Sequence, residues 1–200
     1  MDEGLLLVIS GPSGSGKGTI CRELLKRHQN INFSISATTR KPRKGEDHGI
    51  SYFFIGEEKF KDMIRKEEFL EYANVHDNYY GTPKKYVFEK MEQGENIILE
   101  IDVQGALQVR KVYPEAVLIF ILPPSMEELK NRIVKRGTES EKDISRRLEN
   151  AYKEMEFGKN YDYVVMNDQV ITAVEKIESI ITAEKIRGVR QKELIEQILL

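Results

Sequence analysis

The sequence predicts an α/β fold, a doubly wound parallel sheet with helices packed on it. Three observations carry that prediction. Residues 5–10, 96–102, 116–122 and 161–166 are short, nearly continuous apolar runs, as expected of parallel strands covered on both faces. Segments with helical spacing alternate with these runs. The first run leads directly into the glycine-rich stretch GPSGSGKGT, residues 11–19.

Residues 5–10 read as the first strand and residues 17–28 as a helix, with Ile20, Leu24 and Leu25 at helical spacing. Residues 33–38 alternate and predict a short strand. Residues 39–49, with Arg40, Lys41, Arg43 and Lys44 around Pro42, predict an exposed loop. A strand over 51–55, a helix over 57–66 with Phe60, Met63 and Ile64 on one face, and a strand over 69–75 follow. Residues 78–83, NYYGTP, read as a turn, with Pro83 opening the next helix and Thr82 as its cap. The stretch 36–94 therefore reads as an insertion between two core strands.

Residues 96–102 predict the second core strand, which ends in Asp102. The ligand side of such a sheet lies beyond the carboxyl ends of its strands, so Asp102 is expected at the same crevice as the glycine-rich stretch. A helix over 104–112 and a strand over 116–122 come next. Ser125 and Glu128 form a capping-box pattern ahead of a helix carrying Leu129, Ile133 and Val134. A turn around Gly137 leads to a second helix over about 141–157. Arg132, Arg136, Arg146 and Arg147 bracket this hairpin, which reads as a closing lid with anion-clamping arginines. The last core strand, 161–166, ends at Asn167 and Asp168. A helix follows that Gly188 is expected to break. The amphipathic tail 189–200 is expected to pack on the core or on another subunit.

Composition narrows the classes of function. The 200 residues suggest one domain with inserted parts, and a net charge of −2 argues against generic nucleic-acid binding. A single cysteine, Cys21, excludes an internal disulfide and a cysteine-based zinc site; its place in a helix predicts packing. His28, His48 and His76 are not at metal-ligand spacing. No apolar run approaches the ~18 residues of a membrane span. Asp2 and Glu3 precede the first strand where a signal peptide would carry basic residues, so a cytoplasmic location is expected.

The chemistry begins at residues 11–19. They follow G-x-x-x-x-G-K-[ST] with one departure, Gly18 in the hydroxyl position and Thr19 one later. A glycine-rich turn aims backbone N–H groups at an anion, and the helix behind it adds its positive end. Gly14 and Gly16 permit backbone angles that a Cβ would block. Lys17 is expected on the terminal phosphates. Arg40 and Arg43 are expected to flank a second anion, because a guanidinium matches phosphate bidentately. Two polyanions brought together call for several guanidiniums, a lysine and a metal. That favours a kinase for a small phosphorylated acceptor over a hydrolysing switch, whose N-K-x-D stretch is missing, and over a longer motor ATPase.

The chain resembles the guanylate kinases from Gly4 to about Lys185. The stretches that carry the resemblance are GPSGSGKGT, SISATTRKPRKGE, GISYFF, EFLEYA, NYYGTP, LEIDVQGA, FILPPS, RGTES and VMND. The resemblance implies a P-loop core over 1–35, 95–123 and 158–200, a GMP-binding subdomain over 36–94 and a lid over 124–157. It implies ATP-dependent phosphorylation of GMP, and of dGMP, with Mg²⁺ bound alongside ATP. ATP would lie on Gly11, Pro12, Ser13, Gly14, Ser15, Gly16, Lys17, Gly18, Thr19 and Asn167. Ser36, Arg40, Arg43, Tyr52 and Tyr80 would hold the GMP phosphate, while Glu71, Thr82 and Asp102 would read guanine. Lys17, Arg40, Arg132, Arg136 and Arg147 would act on the transferring phosphoryl. Thr19 is the expected metal-side hydroxyl, either directly or through water. Two alternatives stay open: a guanylate-kinase-like interaction module without catalysis, and a kinase for another nucleoside monophosphate.

Overall fold

The computed structural model describes residues 3–135 and 141–199. Five strands form the parallel core sheet: β1 (Leu6–Ser10), β2 (Ile31–Phe33), β7 (Asn96–Glu100), β8 (Val117–Leu122) and β9 (Tyr163–Met166). Their order is β2-β7-β1-β8-β9, so β1 lies at the centre and its carboxyl end opens between β7 and β8. Alternation along the strands feeds two cores. Leu5, Leu7 and Ile9 meet α1 (Lys17–Arg27) and α7 (Val170–Lys185) on one face. Leu6 and Val8 meet α3 (Lys84–Glu92) and α4 (Val103–Val112) on the other. Both faces are buried at β1, β7 and β8, which explains their continuous apolar runs, while β9 at the sheet edge leaves Val164 and Met166 exposed.

A second, four-stranded sheet is built between β2 and β7 in the chain. Its order is β4-β3-β6-β5, from β3 (Ala37–Thr38), β4 (Phe53–Phe54), β5 (Phe69–Val75) and β6 (Asn78–Pro83). Helix α2 (Glu57–Arg65) buries Phe60 against Phe69 and Ala37 on one side of it.

Three local expectations are corrected here. Residues 33–38 are not one strand: Phe33 ends β2 in the core sheet and Ala37 starts β3 in the second, so the alternation spans a crossing between sheets. Residues 78–83 are strand, not turn. The turn is His76–Asp77, both with positive φ (49° and 61°), between the paired Val75 and Asn78. That is the two-residue hairpin geometry whose twist matches the strands. Gly81 serves close strand approach, since a Cβ there would stand 3.0 Å from Glu71 O, Phe69 Cδ1 and Tyr72 Cβ. Thr82 does not cap α3; Pro83 holds that position without a side-chain bond, and the Thr82 hydroxyl points elsewhere.

The remaining helices are α5 (Met126–Val134), α6 (Glu141–Glu156) and α8 (Lys192–Leu199). Ser125 caps α5 by accepting from the Glu128 amide at 3.0 Å. Leu129 and Ile133 of α5 pack on Ala151 of α6. Helix α7 ends at Lys185, three residues before Gly188. In α8, Leu194, Ile195, Ile198 and Leu199 are exposed, so this stripe is not buried on the core, while Arg190 ahead of it donates to Glu115 O at 2.7 Å. Among the described residues no helix is long and apolar enough to cross a membrane.

Candidate active site

The glycine-rich stretch forms a loop from the end of β1 to the start of α1. Gly16 is the helix N-cap at φ 95°, a left-handed conformation open to glycine, and no side chain caps this end. The first amides of α1 are thus available to an anion. A Cβ on Gly16 would lie 2.2 Å from Asn167 Nδ2. Asn167 is buried at the end of β9, and its Nδ2 donates to Ser15 O at 2.8 Å. Arg132 of α5 reaches the same carbonyl at 3.4 Å, as well as Asn167 O at 3.1 Å and Glu128 at 2.8 Å. Arg132 and Asn167 thereby tie the back of the loop to α5 and β9. Gly14, Gly16, Thr19, Arg132, Asn167 and Val170 line a cavity of about 360 Å³ on this side.

Lys17 arches over the loop and donates to Gly11 O and Pro12 O at 2.5 and 3.2 Å. Arg147 of α6 donates to Ser13 Oγ at 2.5 Å, so this helix lies on the loop. Arg146 turns away to Asp143 of its own helix. Arg136 lies outside the described residues. The Cys21 thiol is buried and pushed up to about 12, chiefly by burial, which keeps it a protonated packing group.

Across the crevice, strand register sorts the second sheet. Thr38 pairs with Phe54 and Tyr80, while Ala37 pairs with Phe53 and Gly81. Side chains alternate, so Ser36, Tyr52, Tyr80 and Thr82 share a face opposite the α2 core. Arg40 joins them, its guanidinium 5.5 Å from the Tyr52 ring centre and 5.9 Å from that of Phe54. Tyr52 and Tyr80 meet edge to face at 6.1 Å. Both terminal nitrogens of Arg40 donate to Glu46, each at 2.9 Å, and the Arg43 amide donates to Glu46 at 2.7 Å. Glu46 holds Arg40 well above its ordinary pKa, and Arg40, with the Arg43 amide, holds Glu46 below. The Arg43 side chain is exposed.

Glu71 is buried at the inner end of β5, and one oxygen accepts from the Thr82 hydroxyl at 2.6 Å. Burial pushes its carboxyl up, the Asp102 charge adds to that, and the Thr82 hydrogen bond opposes it. The other oxygen lies over Gly105, 3.4 Å from where a Cβ would stand. Asp102 is the N-cap of α4 and accepts from the Gly105 amide at 2.8 Å. Glu71, Thr82 and Asp102 thus meet at the start of α4.

Sequence reasoning missed three carboxylates. Glu46 orients Arg40, although it stood within a quoted stretch. Glu100 ends β7 beside Ile9, and its oxygens lie 3.3 and 3.4 Å from where a Gly18 Cβ would be. The E-x-D pattern at that strand end was a signal for it. Glu154 of α6 is half-buried; burial pushes its carboxyl up and the Lys17 charge opposes that. The larger cavity, about 810 Å³, opens on the apolar side of the second sheet beside Phe53, Ile55, Met63 and Tyr86, and holds none of the anion-binding groups.

Comparison with known proteins shows the family. The guanylate kinase family model matches residues 3–184. A guanylate kinase of Clostridium tetani is 59% identical over 195 residues, covering 98% of this chain and 93% of that protein. One from Caldanaerobacter subterraneus subsp. tengcongensis is 58% identical over 196 residues, covering 98% and 95%. The crystal structure of guanylate kinase from Anaplasma phagocytophilum matches with a TM-score of 0.73 at 35% identity, covering 98% and 96% of the two chains. With a glycine loop and an arginine–tyrosine face across one crevice, and with relatives this similar over nearly its whole length, the chain belongs to the guanylate kinase family.

Proposed function

We propose that this chain transfers the terminal phosphoryl group of ATP to GMP, and to dGMP, yielding ADP and the nucleoside diphosphate. The observation that carries the reading is the pair of anion-binding faces on one crevice: the uncapped α1 with Lys17, and the Arg40–Tyr52–Tyr80 cluster. The donor side takes residues 11–19, with Asn167 and the cavity behind the loop for the nucleoside of ATP. The acceptor side takes Ser36, Arg40, Arg43, Tyr52 and Tyr80 for the GMP phosphate. Glu71 accepts from the ring N–H and exocyclic amine of guanine, a paired donor edge that adenine lacks; Thr82 and Asp102 complete this pocket.

The work of these residues is placement and charge stabilisation. Lys17 and the loop amides draw the donor phosphates to the start of α1. Arg147 approaches the transferring group from α6, Arg136 is assigned to the same task by the family resemblance alone, and Arg132 keeps the loop in register. The acceptor oxygen is already an oxyanion, so no strong general base is required. Closure of 36–94 and 124–157 onto the core 1–35, 95–123 and 158–200 excludes water, which suppresses idle hydrolysis.

Mg²⁺ fits beside this loop. Gly18 leaves an opening where a side chain would crowd the Glu100 oxygens, and oxygen ligands suit a hard cation. Thr19, through water, and Glu100 are the residues that would hold it. When bound with ATP, Mg²⁺ neutralises charge on the donor phosphates.

An ADP-release assay against GMP, dGMP, AMP, UMP and dTMP tests the reading. GMP and dGMP are expected to turn over and the others to lag by orders of magnitude. Preference for another monophosphate refutes the acceptor assignment. Turnover with none of them supports an interaction module.

A further inference from the structure

Strand β5 lies at the edge of the second sheet, paired only with β6 among the described residues. Its ladder carries a bulge. Phe69 pairs with Pro83 and Tyr72 with Gly81, so Leu70 and Glu71 together stand opposite the single residue Thr82. The extra residue resets the alternation. Phe69 and Tyr72 fall on one side of the sheet, with ring centres 6.3 Å apart. Leu70 turns into the core beside Val87 and Met91, and Glu71 turns to the Thr82 hydroxyl. A regular strand would put Glu71 on the Phe69 side, because residues two apart share a face. The bulge is therefore what aims the Glu71 carboxylate at Thr82 and the start of α4.

The residue after Glu71 is held from outside the sheet by one side chain. The Tyr72 amide donates to Gln108 Oε1 at 3.1 Å, and Gln108 Nε2 donates to Tyr72 O at 3.2 Å. A carboxamide presents an acceptor and a donor side by side, as a neighbouring strand would. Gln108 thus takes both backbone polar groups of Tyr72 at the free edge of β5. It belongs to α4 and continues the i, i+3 series that starts at the cap Asp102 and passes through Gly105, over which the second Glu71 oxygen lies. One helix borders the carboxylate and anchors the backbone that carries it.

We propose that Gln108 is a positioning residue for guanine recognition: by clamping the backbone of Tyr72 it holds the bulge that aims Glu71 at the base. The proposal rests on the reading of Glu71 as the guanine acceptor. A bulge leaves part of its strand out of the ladder, and an edge strand has no second neighbour to steady it. In β5 that gap falls at the residue assigned to the base, and Gln108 fills it.

The test is steady-state kinetics of Q108M, Q108N, E71Q and the double variant E71Q/Q108M, with ATP and either GMP or IMP. IMP lacks the exocyclic amine assigned to Glu71. Q108M keeps the side-chain length without the amide, and Q108N keeps the amide one methylene short. Losing two neutral hydrogen bonds is expected to lower kcat/KM for GMP about tenfold in both, chiefly through KM for GMP. KM for ATP should stay within about twofold, because the glycine loop is untouched. The loss for IMP should be at least about threefold smaller, because IMP forfeits one of the two bonds that a well-aimed Glu71 makes. In the E71Q background, Q108M should change kcat/KM by less than about twofold, since a residue that acts through Glu71 has nothing left to aim. Wild-type kcat/KM for GMP in Q108M or Q108N overturns the proposal. So do equal losses for GMP and IMP, or losses from E71Q and Q108M that multiply, which mark a cover for the sheet edge with no part in reading the base. An unchanged preference for GMP over IMP in E71Q overturns the reading of Glu71 instead.

Discussion

Glu71→Gln should lower activity and raise stability in the same protein. One Glu71 oxygen is already engaged by Thr82 at 2.6 Å, so under the proposed function it is the other oxygen that is left for guanine. In the glutamine variant the carbonyl keeps the Thr82 hydroxyl, and an NH₂ group takes the place of the free acceptor. A charged hydrogen bond worth about 1.5–3 kcal/mol is lost, and a buried donor is set against a donor, costing about 1–3 kcal/mol more. A total of about 3–5 kcal/mol corresponds to roughly 10²–10⁴-fold in kcat/KM for GMP. Stability moves the other way. Burial raises the Glu71 carboxyl above its ordinary value, so the ionised form is more costly folded than unfolded. With a raised folded-state pKa, the relative stability is fully present below the unfolded value near 4.5 and is lost as pH rises through the folded value. Glu71→Gln removes that loss. It should unfold at higher urea than wild type at pH 7, and the gap should close at about pH 4. Urea titrations at the two pH values, beside kcat/KM for GMP, test both halves. A variant that is less stable at pH 7, or that keeps its GMP preference, refutes the assignment of Glu71 as a buried guanine acceptor.

Lys17→Ala should reduce kcat by at least about 10²-fold with little change in the melting curve, since Lys17 contacts loop carbonyls and is not part of the core; circular dichroism and ADP release check this. Gly16→Ala forces a left-handed conformation, costing about 1–2 kcal/mol, and displaces Asn167, so unfolding should shift by about 2–3 kcal/mol together with loss of ATP binding by calorimetry. Glu100→Gln should weaken Mn²⁺ binding in the presence of ATP, read by electron paramagnetic resonance, while metal-free ATP binding stays unchanged; unaltered Mn²⁺ affinity counts against Glu100. Arg40→Lys should raise KM for GMP about tenfold or more, because a point charge cannot reproduce the fork held by Glu46.

The three inner strands of the core sheet were legible because both of their faces are buried, which writes continuous apolar runs into Leu5–Ile9 and its counterparts in β7 and β8; β9 at the edge was read from its apolar run although Val164 and Met166 are exposed, and the three-residue edge strand β2 was not read. The second sheet was less so. Its strands β3 and β4 are two residues each, too short to show a period, and β6 carries Asn78, Gly81 and Pro83, which read as turn residues out of context. Pairing with β3 and β5 decides that segment, and pairing partners are remote in the chain. The same distance hid the carboxylates. Nothing local to Glu154 marks it, because the Lys17 charge that acts on it comes from the first strand–loop–helix unit. Gly18 could be seen to depart from the motif, but not that Glu100 faces the space it leaves.

The net charge of −2 conceals how the cations are arranged. Arg40 is paired with Glu46, Arg132 with Glu128, and Lys17 stands near Glu154. These carboxylates reduce the repulsion that clustered cations would otherwise suffer in the folded chain, and they orient each guanidinium before a substrate arrives. Binding a phosphate therefore exchanges or extends an existing anion contact, and its free energy is a difference between the two arrangements. Arg40 shows how both can be met. One terminal nitrogen donates to Glu46 and to Lys41 O, and the other donates once to Glu46. A guanidinium has five N–H groups, so the Nε–H and one terminal hydrogen remain for Tyr80 and a phosphate. Glu46 thus fixes the plane of the fork and leaves one edge of it open, the edge that the proposed function gives to the acceptor, and a lysine with a single rotating ammonium is expected to be a poor substitute there.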